Sequence, residues 1–512
     1  MDHEIELKFL IAPEASAQIL ARLEGREAVR KLDATYFDTI DHALRKAGFG
    51  LRIRDGENGR KQTLKSASSG GVFARGEWES AVEGPEPDRD LLAKTPAAKV
   101  INGDVLAPVF ATNVRRVTRL IERDGATIEA ALDQGELLAD DRRAGVSELE
   151  LELKSGAPRV LFDLARDLAA HAPLRLSLVS KAERGYALAL DESDGPRPDT
   201  PLARGATTGE ALQALGRTAL CRLCAAGEAL RSRPGPDRVH KLRVAARRFR
   251  ALLSTFKPLA GDPAAHRVQA ELKWLADALG PARSLDVFIA DVWRPAAEGQ
   301  AEPIAEAEIG AGGPAEDDAR ALAAFGKALL AAQTQAYAQA EAAVDSARFR
   351  ALAIDAAAWL EAGPWTTDKR LEKARRRPAG DFAAEALDKR RRRIRKDGRD
   401  LAALSPQERH ELRIRGKKLR YAVEDLGGLF PDHPTRRNRL VEATKGLQDA
   451  LGVLNDLAGR EALAREVALS SDDPRAAFAA GRLTAGGPER AAELLVEAQG
   501  AYVTFVEVKR FW

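Results

Sequence analysis

Glu4, Glu6 and Lys8 alternate with Ile5, Leu7 and Phe9 near the start of the chain. In a β-strand successive side chains point to opposite faces. The two carboxylates and the amine therefore share one face, and the apolar residues the other. The pattern returns as Glu148, Glu150, Glu152 and Lys154, alternating with Leu149, Leu151 and Leu153. Between these rows the cations dominate: Arg52 and Arg54 opposite Leu51 and Ile53, then Lys61, Thr63 and Lys65 on one face. Arg75, Glu77 and Glu79 share a face, Glu129 and Asp133 match in parity, and Lys181 ends the last strand. Carboxylate rows hold hard divalent cations through oxygen ligands. Arginine and lysine rows bind phosphate oxygens, arginine often bidentately. One such strand alone reads as a half-solvated sheet. The joint pattern describes a sheet closed around a charged interior, suited to a metal–polyphosphate complex.

The elements that position these residues are short alternating strands with helical stretches at about 13–24, 86–107 and 158–171. Turn signals such as Asp55-Gly56 and Asn58-Gly59 separate some of the strands. Residues 1–192 are expected to form an antiparallel α+β domain whose strands close into a barrel. A linker at 193–205 carries Pro196, Pro198 and Pro201. From 206 to 512 the chain is rich in Ala, Leu and Arg, with helical periodicity and no strand run.

The helical part is duplicated. The run from His240 through Arg243, Arg247 and Arg250 matches His410, Arg413, Lys417 and Arg420, 170 residues on. Leu279-Gly280 matches Leu451-Gly452, at a spacing of 172. The repeats occupy about 206–300 and 316–512, joined by a loose stretch at 296–316. On an α-helix the four motif positions fall within about 80° of each other. Each repeat thus presents one histidine and three cations on a single face. A third basic run, Lys389 to Lys396, includes Arg391 and Arg395. Blocks of like charge are ordinarily solvated faces; two stripes at one helical period make a surface for a polyanion.

Bulk properties bound the rest. A chain of 512 residues with net charge +3 should hold about two to four domains. The two cysteines, Cys221 and Cys224, lie in an alanine-rich helical stretch. They provide no disulfide framework, and no second pair completes a zinc site. No segment reaches the ~18 apolar residues of a membrane span. The opening is an acidic strand in place of a basic, apolar leader, so no signal peptide and a cytoplasmic setting are expected. Aromatics near the basic stripes are limited to Phe249 and Tyr421, which argues against base stacking on nucleic acid.

Residues 1–190 resemble the CYTH family, the triphosphate tunnel metalloenzymes. The resemblance rests on Glu4-x-Glu6-x-Lys8, Tyr36-Phe37-Asp38-Thr39, the strand 51–54, the lysine strand 61–65, the strand 148–153, and Ser180-Lys181-x-x-Arg184-Gly185-Tyr186. It implies an eight-stranded antiparallel tunnel that binds triphosphates with Mg²⁺ or Mn²⁺. By that resemblance Glu4, Glu6, Asp133, Glu148, Glu150 and Glu152 hold metal. Lys8, Arg52, Arg54, Lys65, Arg115 and Lys181 bind the phosphates, with Arg116 and Arg119 as the alternatives to Arg115 on a strand of open parity. Residues 206–512 resemble the CHAD family, with Ser284 standing where that family more often has aspartate. This implies two four-helix bundles and binding of inorganic polyphosphate through the two histidine stripes, with Arg391 and Arg395 beside them.

The expected activity is metal-dependent hydrolysis of inorganic triphosphate to diphosphate and phosphate. The alternatives are hydrolysis of an organic triphosphate, such as thiamine triphosphate or a nucleotide, and a non-catalytic polyphosphate-binding protein. The partners expected are inorganic triphosphate and inorganic polyphosphate, with no nucleic acid and no membrane.

Overall fold

The computed structural model describes residues 5–56, 59–66, 76–192, 202–203, 205–299, 314–485 and 487–512. Glu4 and Arg75 lie outside the described residues. The chain divides into two compact units, and these do not follow chain order. The first comprises Met1–Thr200, Gly216–Glu228 and Asp345–Thr366; the second comprises Pro201–Leu215, Ala229–Val344 and Thr367–Trp512.

The first unit is built on nine antiparallel strands: β1 (Ile5–Leu10), β2 (Glu27–Thr39), β3 (Phe49–Gly56), β4 (Gly59–Ser66), β5 (Glu77–Val82), β6 (Leu106–Arg123), β7 (Ala126–Ala139), β8 (Arg142–Ser155) and β9 (Arg175–Leu176). They pair in the order β5-β4-β3-β2-β6-β7-β8-β1-β9. The ninth strand is only two residues long, which accounts for the difference from the expected eight. Among the described residues β5 and β9 are not paired with each other. The β6–β7 hairpin turns on Asp124-Gly125, both at positive φ (48° and 73°). That backbone matches the right-handed twist of the strands it joins.

One face of the sheet is apolar and covered from outside. Leu7 and Phe9 of β1 and Leu149 and Leu151 of β8 are buried. Helix Pro158–Ala169 contributes Val160, Leu161, Phe162, Leu164 and Leu168 to this side. Helix Ala347–Ala362 packs on that helix, with Arg166 bonded to Asp355 at 2.8 Å. The sheet therefore draws a helix from far along the chain into its own unit. On β2, β3 and β4 the apolar face buries Phe37, Leu51, Ile53 and Leu64 with Leu44, Leu92 and Ile101. The opposite face carries the charges.

The second unit is helical throughout, as the periodicity predicts. Helix Pro236–Thr255 carries the first histidine stripe and helix Pro406–Leu426 the second. The C-terminal bundle packs helices Ala379–Asp397, Pro406–Leu426, Pro434–Leu469 and Gly487–Glu507 around Leu387, Ile394, Leu419, Leu447 and Phe505. Among the described residues no helix is long and apolar enough to cross a membrane.

Candidate active site and anion-binding surface

Strand register brings the acidic rows together. Lys8 sits opposite Glu150, and Glu6 opposite Glu152, across β1 and β8. Asp133 of β7 faces Glu148 of β8, and Arg116 of β6 faces Asp133. Opposed residues of an antiparallel pair project to the same side, so this row belongs to one interior wall. The wall is not solvated surface: Glu148 is 0% and Asp133 1% exposed. Buried charges need partners, and they have them. The Lys181 ammonium lies 2.7 Å from Asp133, 2.7 Å from Glu148 and 2.8 Å from Glu150. Arg116 holds Asp133 through Nε (2.7 Å) and Nη2 (2.6 Å), and reaches Glu150 at 2.5 Å. Lys8 lies 3.3 Å from Glu150. Arg184 donates to Glu148 and to the Gly145 carbonyl.

The electrostatics follow from this packing. Burial disfavours the charged forms, yet Lys181, Lys8 and Arg116 outweigh it and hold Glu150 well below the usual carboxylate range. Asp133 is lowered against the same burial by Lys181 and Arg116. Burial would lower Lys181, but Glu150, Asp133 and Glu148 raise it above its ordinary value. All three groups stay charged.

The cationic wall lies on β3 and β4. Arg52 donates to the Tyr36 hydroxyl at 3.3 Å. Arg54 and Lys61 bond Glu79 at 3.2 and 2.6 Å, and Lys65 lies 3.2 Å from Glu77. Burial lowers Arg54, and repulsion from Arg52 and Arg116 lowers it further. Arginines from β3 and β6, the two strands that flank β2, therefore repel one another on one face of the sheet. Burial opposes ionisation of Tyr36, but Arg52, Lys181 and Lys65 together draw its pKa below the ordinary value.

Three placements differ from the sequence reading. Arg115 is exposed, and Arg116 is the residue of β6 that meets the acidic row. Arg119 turns to the other side, where it bonds the Leu23 carbonyl (2.5 Å) and Glu27 (2.8 Å). Lys181 does not end a strand. It opens helix Lys181–Ala189, whose N-cap Ser180 and N3 residue Glu183 form a capping box. The Ser180-x-x-Glu183 spacing was the available signal, and Arg184, one turn on, is the interior residue it would have located. Glu152 pairs with Lys154 at 2.6 Å, and the Glu6 side chain is 40% exposed. Among the described residues no group of three His, Cys, Asp or Glu side chains is arranged to hold a metal. The donor chemistry nonetheless suits a hard cation: three carboxylates already surround one ammonium, and Glu148 Oε2 makes its 2.7 Å ion pair without hydrogen-bond geometry.

The Tyr36 and Tyr186 motifs are joined in one cluster. Tyr36 stacks on Phe110 with centroids 4.4 Å apart, and Phe110 meets Tyr186 edge-on at 5.2 Å. The Tyr186 hydroxyl donates to buried Asp38 at 2.7 Å. Asp38 also accepts from the backbone N–H of Thr39, Leu44 and Arg45. This cluster docks helix Lys181–Ala189 and so sets Lys181 and Arg184 in place.

In the second unit the two stripes converge. Burial and repulsion from Arg247, Arg413 and Arg243 lower Lys417 to about 7, against the weaker pull of Asp456. His240 is lowered by burial and by Arg283, Arg247 and Arg243. His410 Nδ1 is 2.7 Å from Asn455 Oδ1, and Arg413 lies 3.7 Å from Asp456. Arg247 donates to the Tyr421 hydroxyl at 3.2 Å, and Arg420 to Gln448 at 3.2 Å. The duplicated glycines have a common role. A Cβ on Gly280 would lie 3.0 Å from an Arg243 nitrogen, and one on Gly452 2.9 Å from an Arg413 nitrogen. Each stripe arginine rests where a side chain would stand.

Arg391 and Arg395 do not join the stripes. Arg391 is buried and donates to the carbonyls of Val506 and Val508. Arg395 is exposed and lines a different hollow with Arg392, Lys396, Arg399 and Tyr502. Arg391→Ala should leave two carbonyls without a donor, at a cost of about 1–3 kcal/mol each. A denaturation midpoint should fall by that measure, while polyphosphate affinity stays within about twofold of wild type.

Two family models match successive parts of the chain. Residues 2–186 match the CYTH domain family and residues 214–465 the CHAD domain family. The chain carries a CYTH domain followed by a CHAD domain. An inorganic triphosphatase of Haemophilus influenzae is 34% identical over 195 residues, which is 37% of this chain and 55% of the relative. The chain thus matches about half the length of that curated relative. Among solved structures, the CHAD domain of the plant Ricinus communis is 23% identical, covering 61% of this chain and 96% of that one, with TM-score 0.49. A Hippeastrum protein described as having a dominant triphosphatase activity is 19% identical, covering 36% and 95%, with TM-score 0.27.

Proposed function

We propose that the CYTH domain hydrolyses inorganic triphosphate to diphosphate and phosphate, and that the CHAD domain binds inorganic polyphosphate. The observation that carries the first part is the row of buried Asp133 and Glu148 with part-buried Glu150, held by Lys181 and Arg116, and the placing of Arg52, Arg54 and Lys65 on the same charged face of the sheet. The name of the Haemophilus influenzae relative supports the same substrate.

In this reading Lys8, Arg52, Arg54, Lys65, Arg116 and Lys181 take the phosphate oxygens. A divalent cation, Mg²⁺ or Mn²⁺, would be held by Glu4, Glu6, Glu148 and Glu150. When bound, it neutralises phosphate charge and lowers the pKa of water. The acidic row is already matched by Lys8, Lys181, Arg116 and Arg184. On substrate binding the arginines and lysines exchange carboxylate partners for phosphate, which would free Glu148 and Glu150 to hold the cation. Water attacks the terminal phosphorus in line. A new P–O bond forms as the bridging P–O bond breaks, and diphosphate leaves. The interior cations stabilise the charge on the leaving group.

The test is phosphate release by the full chain with Mg²⁺ or Mn²⁺, comparing inorganic triphosphate, ATP, thiamine triphosphate and long polyphosphate. Glu148→Gln and Glu150→Gln are the controls. Metal-dependent turnover of inorganic triphosphate, lost in the controls, is the expected result. Faster turnover of thiamine triphosphate or ATP would replace it with an organic triphosphatase. Tight polyphosphate binding without turnover would leave a binding protein.

Polyphosphate binding should depend on pH through Lys417. The group is half-protonated near pH 7, and an arriving polyanion favours its charged form, so binding takes up a proton. Affinity should be highest below pH 7 and fall about three- to fivefold between pH 7 and 8. His240, lowered in the same cluster, titrates earlier. Lys417→Arg should flatten the profile above pH 7, as read by calorimetric titration at fixed salt.

A further inference from the structure

The two repeats of the helical unit are not balanced in charge at equivalent positions. In the first repeat Arg248 bonds Glu424 at 2.6 Å and Asp425 at 3.2 Å. The residue equivalent to Arg248, 170 positions on, is Lys418. The positions equivalent to Glu424 and Asp425, 170 back, are Ser254 and Thr255. The carboxylates that neutralise one half are thus hydroxyls in the other.

Further cations crowd the half that lacks acids. Arg390 donates to Thr255 Oγ1 at 2.7 Å and to Ser254 Oγ at 3.4 Å. Its Nε is buried without a partner. A cavity of about 330 Å³ is lined by Arg390, Arg393, Arg415 and Lys418 with Glu411 and Ile414. The two acids nearby are already engaged: Asp397 with Arg415 and Arg393, and Glu411 with Arg415. Among the described residues no carboxylate pairs with Lys418 or Arg390. The contrast shows in the charge states. Burial lowers Lys418, and Arg390, Arg250, Arg393 and Arg415 all push it the same way. Arg248 is raised against its burial by Asp425 and Glu424. Half-buried cations without counter-charge are costly in a folded protein.

We propose that this hollow is a second anion site, which takes a phosphoryl anion in place of the missing carboxylates. It extends the polyphosphate reading of the CHAD domain, and none of the residues lining the hollow belongs to the histidine stripes. The anion comes either as free pyrophosphate or as a segment of a polyphosphate chain. Arg390, Arg393 and Lys418 reach it from two helices, and the cavity is of the size that holds a small ligand.

Ser254→Glu restores the carboxylate present at the equivalent Glu424, and Ser254→Gln matches its size without charge. The full-length wild type and both variants are titrated with pyrophosphate and with long-chain polyphosphate in metal-free buffer. The CYTH interior is the same in all three, so differences report the helical unit. In Ser254→Glu the thermal shift given by pyrophosphate should fall by at least half, and polyphosphate affinity by about fivefold or more. Its melting temperature without ligand should equal or exceed that of wild type, and Ser254→Gln should bind as wild type. Lys418→Gln should weaken both ligands in the same way. Equal binding by wild type and Ser254→Glu would overturn the proposal, as would equal losses in Glu and Gln variants. If Arg413→Gln abolishes polyphosphate binding while Ser254→Glu does not, the stripes stand and this site falls. If wild type binds pyrophosphate but not polyphosphate, and Ser254→Glu loses the former, this site stands and the polyphosphate reading falls.

Discussion

Arg116→Gln should lower phosphate release from inorganic triphosphate by about 10²–10³-fold, while Arg115→Gln changes it by less than about twofold. The two residues are neighbours of identical type, so only their direction differs. Arg116 binds Asp133 bidentately and reaches Glu150 at 2.5 Å; Arg115 points to solvent. Removing Arg116 takes away a phosphate donor and leaves a buried carboxylate with Lys181 as its remaining partner. Breaking a buried pair costs about 3–5 kcal/mol, so the melting temperature should drop as well. Arg116→Lys separates the two effects. It keeps the charge for folding but loses the planar fork, so activity should recover less than stability. Equal activity in the Gln variants at 115 and 116 would mean that β6 presents the other face to the substrate.

Gly185→Val should abolish triphosphate turnover and lower the melting temperature, and Gly185→Ala should do both to a smaller degree. A Cβ at Gly185 would lie 2.1 Å from the Phe110 ring. That ring cannot retreat, because Tyr36 stacks on it and Tyr186 meets it edge-on. Overpacking of this kind costs about 1–3 kcal/mol for the smaller change. The strain falls on the docking of helix Lys181–Ala189 and displaces Lys181 and Arg184 from Asp133, Glu148 and Glu150. The loss should appear mainly in kcat and should not be rescued by more substrate. Polyphosphate binding by the helical unit should be unchanged. Full activity in Gly185→Val would show that the helix N-terminus tolerates a shift at the Phe110 cluster.

Much of this molecule was legible as pattern. Alternation placed Glu6 and Lys8, and Glu148, Glu150 and Glu152, on shared faces, and the register puts them side by side. The spacing of His240 and His410 located both stripes, because duplication at one helical period leaves a repeat that sequence alone displays. Period identifies which residues share a face, but not which face turns inward. On β6 the adjacent Arg115 and Arg116 supply a cation at either parity, so only the pairing of Arg116 with Asp133 decides. Lys181 read as a strand end because Leu174–Ser180 alternates; the capping box at Ser180 and Glu183 turns the chain into a helix instead.

Composition also misplaced Arg391. A run of like charges on one helix covers every direction around its axis, and the direction facing the core becomes buried. There Arg391 serves the carbonyls of Val506 and Val508, residues that follow it by more than a hundred positions. The charge imbalance around Lys418 arises in the same way. The substitution of Ser254 and Thr255 for Glu424 and Asp425 is visible in the repeat, but its consequence depends on Arg390 arriving from a third helix. The sequence by itself determined the order of strands and then helices along the chain, the families it resembles and the two kinds of charged row. The tertiary structure decided which cations face the buried carboxylates and which are left without any, because those pairings join residues brought together only by strand register and helix packing.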